Sequence, residues 1–203
     1  MAQLLTQNSK LKKTSKAIGA RVFNFGIPAF TDPETGKRTC PFAGSCAKFC
    51  YARKGAYSWS NVKPAFAERY RRTKTDQFVS DMNAEIVKKR ADYVRVHDSG
   101  DYYSPEYIEK WIEIAQSNPD VRFYSYTKSI PLFKGRELPE NFDIIFSEGS
   151  TVDDMIDTET DRHARIFKTD QERIDAGYAD AMSNDLMATK WFNDTNKVGL
   201  VFH

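Results

Sequence analysis

Outside one stretch of eleven residues the chain has no cysteine, which excludes a disulfide framework spread over the fold. It has no run approaching the eighteen or so apolar residues of a membrane span, so no membrane partner is expected. It also lacks a Gly-rich phosphate loop, a dinucleotide fingerprint and a nucleophile elbow, which removes the commonest nucleotide-binding and hydrolase classes. There is no internal repeat, low-complexity tract or linker long enough to divide the 203 residues. The expected organisation is a polar, basic arm over residues 1–19 followed by a single α/β domain over 20–203.

What the chain does have is concentrated. Cys40, Cys46 and Cys50 lie in the run Cys-Pro-Phe-Ala-Gly-Ser-Cys-Ala-Lys-Phe-Cys, and an odd number of thiols leaves one unpaired in any disulfide scheme. No apolar leader precedes them, so a cytoplasmic, reducing setting is expected. A structural zinc site normally closes its shell with four protein ligands. Three thiolates on one loop with no local fourth ligand instead suit an iron–sulfur cluster with one iron left open. A Cys₃His zinc site completed by His97 or His203 is the rival arrangement, although His97 sits in an alternating strand where a hydrogen-bonded core histidine is the ordinary outcome.

The composition, 40% hydrophobic and 13% aromatic, is enough to build a core. The net charge of +2 conceals a strong polarity: residues 1–90 carry 18 Lys and Arg against 6 Asp and Glu, and residues 91–203 carry 12 against 22. Lys10, Lys12, Lys13 and Lys16 in the arm, with Arg69, Arg71, Arg72 and Lys74, make a half that could attract nucleic-acid or nucleotide phosphates. The plainer alternative is that the two halves neutralise each other across the fold.

Strand and helix patterns alternate along the chain. Strands are expected at 20–27, 93–97, 121–126, 142–146, 164–167 and 197–203. Phe78, Val79, Met82 and Ile86 mark a helix over 76–90. Ser104-Pro105 opens another that buries Ile108, Trp111, Ile112 and Ala115 and stops at Asn118-Pro119. Residues 170–193 read as mainly helical. Repeated strand–helix units imply a mostly parallel sheet of about six strands, either open and doubly wound or a partial barrel.

Polar residues gather where these strands end: Asp98 to Asp101, Thr127 to Ser129 and Ser147 to Ser150, with the cysteine loop following the first strand. In parallel α/β architectures the carboxyl ends of the strands form the ligand-binding rim. One shared rim is therefore expected, although Asp98 and Asp101 would also serve simply as caps of the helix near Ser104.

The segments 40–52, 94–111 and 124–129 together resemble the phage family called gene product 88. Phe49 just before the last cysteine, and Ser99-Gly100-Asp101 at the end of the next strand, are similar to the cluster loop and amino-group loop of the radical S-adenosylmethionine (SAM) superfamily. The cysteine spacing here is five and then three intervening residues, against three and then two usual in that superfamily, so the loop geometry differs. The resemblance implies a partial (β/α) barrel, a [4Fe–4S] cluster held by Cys40, Cys46 and Cys50, and SAM. It implies also a phage protein in the host cytoplasm, a small-molecule substrate and an electron donor.

On that resemblance Ser99 and Asp101 would hold the SAM ammonium, with Gly100 between them also at the cofactor, Lys128 its carboxylate, Ser147 or Glu148 the ribose hydroxyls, and Phe49 or Tyr51 the adenine face. Gly44 would let the loop wrap closely, and Lys48 or Arg53 would offset the negative charge of the cluster. The competing class is a non-catalytic iron–sulfur or zinc protein that binds nucleic acid or a host protein through the basic half.

Overall fold

A computed structural model describes residues 2–202; His203, the alternative zinc ligand, lies outside the described residues. The strands are β1 (Val22–Phe25), β2 (Tyr93–Val96), β3 (Arg122–Thr127), β4 (Phe142–Ser147), β5 (His163–Phe167), β6 (Ala179–Asp180) and β7 (Lys197–Val201). All pair in parallel, in the order β1-β2-β3-β4-β5-β7-β6. Five neighbours in chain order give the connectivity of a (β/α) barrel, and the sheet curls into a half-barrel.

The helices in chain order are α1 (Ser9–Ile18), α2 (Cys46–Phe49), α3 (Lys63–Thr73), α4 (Phe78–Lys89), α5 (Pro105–Ser117), α6 (Ile130–Phe133) and α7 (Asp170–Asp175), and α4 and α5 cover the outer face. In α4 (Phe78–Lys89) the residues Phe78, Met82 and Ile86 are buried, and in α5 (Pro105–Ser117) so are Ile108, Trp111 and Ala115, each set at helical spacing. They pack against Phe25, Val94, Val96 and Phe123, which share one parity of their strands. Ser104 caps α5, its side chain accepting the Tyr107 N–H at 3.3 Å, so the cap is neither Asp98 nor Asp101. The inner face carries the opposite parity, with Val22, Tyr124, Ile145, Ala164 and Val198 packed under Leu11 and Leu186.

The N-terminal residues lie against this domain. Leu4 and Leu5 are fully buried and donate their backbone N–H groups to Glu85, both at 2.9 Å. Thr6 bridges Asn24, and Asn8 caps the helix α1 (Ser9–Ile18), whose Leu11 reaches the inner core.

The expectation of a mainly helical 170–193 is wrong. Helix α7 (Asp170–Asp175) is six residues long, Gly177 then takes a φ of 74°, and the chain forms the short strand β6. Side chains that bond their own backbone turn the rest: Asp180 accepts from Met182 N–H at 2.7 Å and Asn184 from Leu186 N–H at 3.0 Å. β6 is also why the sheet has seven strands where about six were expected.

Candidate functional site

The cysteine loop is tied by hydrogen bonds to the loops after β2 and β4, and through Ser150 to the loop after β3. After β1, the chain turns on Asp32, which accepts from Thr35 N–H at 3.1 Å, and returns through Thr39, whose hydroxyl donates to Pro28 C=O at 2.6 Å. Thr39 C=O then accepts the Asp101 N–H at 3.0 Å, tying the loop to the end of β2. Gly44 N–H donates to Gly149 C=O at 3.0 Å, and Ser150 donates its hydroxyl to Phe42 C=O or Lys128 C=O, each at 3.0 Å. These bonds bring the loops after β1, β2, β3 and β4 to one rim. At Gly44 a Cβ would lie 2.5 Å from Ser150 O and 2.9 Å from Gly149 O, so only glycine fits against that backbone.

All three cysteines are free and half-buried; Cys46 opens the one-turn helix α2 (Cys46–Phe49), and Cys50 follows it. Cys40 Sγ accepts the Phe30 N–H at 3.2 Å. Burial pushes the Cys40 thiol up to about 12, with further pressure from Asp101 and from Cys50 and Cys46. Burial also raises Cys46, against which the Lys128 ammonium acts. Cys40 and Cys46 thus lie within the field of the other thiols, and Cys46 lies beside one cation. Among the described residues, no group of three or more His, Cys, Asp or Glu side chains converges as a single metal ion requires.

Lys128 and Cys46 flank Gly149, where an added Cβ would sit 3.5 Å from both Lys128 Cε and Cys46 Cβ. Lys128 Nζ donates to Ser147 Oγ at 2.7 Å, so two of the anticipated ligand-holding residues already touch each other. Asp101 is buried and accepts from Thr127 Oγ1 (2.6 Å), Tyr102 N–H (2.8 Å) and Lys128 N–H (2.8 Å). Burial raises its pKa and these bonds oppose the rise. Asp101 therefore joins the β2 and β3 loops, with little accepting capacity left over. Ser99 is buried with its C=O on Ile27 N–H, and Gly100 packs on Ile27 at a φ of 80°. Glu148 pairs with Arg165 at 2.8 Å. Phe49 is exposed beside Phe202, and Tyr51 exposes its ring while its hydroxyl turns inward to donate to Asp98 C=O at 2.6 Å. Burial of that hydroxyl pushes its pKa up to about 12, with Arg95 opposing.

His97 is not near completing a thiolate site. It is buried in the outer core, with Nε2 2.9 Å from the Tyr107 hydroxyl and its ring against Tyr102. Burial lowers its pKa to about 3, so the imidazole is neutral.

Sequence reading missed the polar inner face beneath the rim. Arg95 donates to Asp185 at 3.0 and 3.2 Å, its guanidinium 5.1 Å from the Tyr126 ring. Tyr57 donates to Asp98 at 3.0 Å. Arg95 Nε, Tyr126 Oη and Asp98 Oδ1 are buried without a partner among the described residues. The signal was in the alternation of β2: Arg95 falls between Val94 and Val96, so strand parity puts it opposite the apolar face.

A family model described as Gene product 88 matches residues 3–200. The chain belongs to this family. It is similar to the "Gene 88 protein" of Mycobacterium phage L5, 35% identical over 107 residues that cover 44% of this chain and 43% of that protein. The "Gene 88 protein" of Mycobacterium phage D29 is 32% identical over 107 residues, 44% of this chain and 42% of that protein. These matched stretches span less than half the length of either phage relative. No solved structure matches.

Proposed function

We propose that Cys40, Cys46 and Cys50 hold a [4Fe–4S] cluster and that this gene product 88 protein is a radical SAM-type enzyme acting on a small molecule at the sheet rim. The observation that carries the reading is the placement of all three thiols on one loop, at the carboxyl ends of sequentially ordered parallel strands, with Cys46 beside the Lys128 ammonium. A cubane does not require three sulfurs that meet at a point, because each thiolate binds a different iron. The Phe30 N–H on Cys40 Sγ is the kind of bond that tunes such a ligand.

A reduced cluster supplies one electron at low potential for cleavage of a sulfonium, and an electron-donor partner must replace it. The residues of the chain have separate roles around it. Lys128 offsets negative charge at Cys46 and, with Ser147, presents donors to a carboxylate; Asp101 fixes the Lys128 backbone. Phe49 and Tyr51 offer exposed apolar faces to a base. A non-catalytic iron–sulfur protein is the second reading, favoured by the carboxylates of Asp101 and Glu148, which are already engaged within the protein.

The test is the electron paramagnetic resonance spectrum of the reduced protein with and without SAM. A spectrum shifted by SAM, with 5′-deoxyadenosine formed under reducing conditions, is expected of the enzyme. An intact cluster signal that ignores excess SAM, with no 5′-deoxyadenosine, contradicts it in favour of the second reading.

A further inference from the structure

Residues 35–67 contain six basic side chains, Lys37, Arg38, Lys48, Arg53, Lys54 and Lys63, and no Asp or Glu. All six are exposed, and among the described residues none has an acidic partner within 4.0 Å. Of the other twelve basic residues of the N-terminal half six are engaged, whereas Lys12, Lys13, Lys16, Lys74, Lys88 and Arg90 have no acidic partner among the described residues. Lys10 pairs with Asp185, Arg21 with Asp92, Arg71 with Glu34 and Arg72 with Asp81, and Arg69 is buried with its Nε donating to Gln3 C=O. What sets residues 35–67 apart is that their six unpaired cations share one stretch with no carboxylate, and that stretch carries the cysteines.

The same loop exposes flat rings. Phe49 is 64% exposed, Tyr51 58% and Trp59 60%, and Phe202 at 60% meets Phe49 edge-on at 6.4 Å. Arg38 and Arg53 both lie over Phe30, at 4.1 and 5.4 Å, and Arg53 also donates to Ala47 C=O, so the cations and rings occupy one excursion of chain. Beyond α2, residues 51–58 form two short 3-10 turns, Tyr51–Arg53 and Gly55–Ser58, that carry no continuous apolar face. A membrane-surface segment would need such a face on a longer amphipathic helix. Rings standing out among unpaired cations instead match a surface that stacks unpaired bases and tracks a phosphate backbone.

We propose that residues 37–63 form a docking surface for single-stranded nucleic acid, crossing the rim beside the cysteines. The exposed cations neutralise phosphates, and Trp59 is the principal stacking platform, with Phe49 and Tyr51 nearer the rim. The proposal does not require a cluster or SAM chemistry, since the side chains it uses are not the three thiols.

Fluorescence anisotropy of a labelled oligothymidylate of about 15 nucleotides tests it on the full chain. Binding is expected at about 50 mM salt and should weaken steeply by about 200 mM. The Lys54→Ala/Lys63→Ala variant should flatten the log–log salt slope by roughly 1.4, about 0.7 for each single-strand phosphate that is no longer neutralised. Trp59→Ala should weaken binding at least about fivefold, while Trp59→Phe retains most of it. Circular dichroism confirms that each variant folds. Absence of binding at the lower salt, a slope and affinity unmoved in both variants, or binding to anionic phosphatidylglycerol vesicles but not to the oligonucleotide would overturn the proposal.

Discussion

At Gly44 the amide N–H meets Gly149 C=O, and a Cβ would press on the backbone carbonyl of Ser150. Neither contact belongs to a flexible side chain, so the strain cannot be relieved by a rotamer change. Gly44→Ala should push the cysteine loop off the β4 loop, costing about 1–3 kcal/mol in urea unfolding. Its iron content after anaerobic reconstitution should fall well below that of the unaltered protein, with an unchanged far-ultraviolet dichroism spectrum. Full iron retention would show that the loop does not depend on this close approach. The role of Gly44 was legible from its place among the cysteines. That of Asp101 was only partly so: its position on the rim follows from the strand pattern, but its bonds to Thr127 and Lys128 depend on a loop that the sequence does not place next to it.

The 3-10 turn Asp185–Ala188 is pinned to three other elements through one carboxylate. Asp185 is fully buried and binds Lys10 of α1 at 2.8 Å, Arg95 of β2 at 3.0 Å and the Tyr124 hydroxyl of β3 at 2.5 Å. Burial alone would raise its pKa; the charges of Arg95 and Lys10 and the bonds from Lys10 and Tyr124 overcome that and hold it below 3.8. The stabilisation is therefore present above about pH 4 and is lost as pH falls through the depressed folded value. Asp185→Asn should cost about 3–5 kcal/mol near neutral pH, because it leaves the Arg95 charge buried and unpaired. It should also flatten the acid limb of stability against pH below 4, measured by urea unfolding. An acid limb unchanged in the variant would place the titrating group elsewhere. Helices α4 and α5 were legible because a stripe at helical spacing survives any context that buries it. The region containing Asp185 was misread as helix because Asp180, Ser183 and Asn184 satisfy backbone and hydroxyl groups locally, a preference that composition and periodicity do not reveal.

Across the whole molecule, seven parallel strands bring a cysteine loop, an Asp101-braced Lys128 and an inner face lined by Arg95, Asp98 and Tyr126 to one side of the sheet. The loop-bearing rim was readable in advance because polar residues gather at successive strand ends. The inner face was not, because Arg95, Tyr126 and Asp185 come from three separate segments of the chain whose meeting no local pattern announces. The central claim is that the three thiolates exist to hold a cluster, with the exposed basic surface lying alongside. Iron and acid-labile sulfide analysis of protein purified anaerobically, with its absorption spectrum, tests that claim most directly. The account predicts about four irons and four sulfides per chain, both lost when any one of Cys40, Cys46 or Cys50 is replaced by Ala. Stoichiometric zinc without iron, or a full iron content in any one of the three variants, would contradict it.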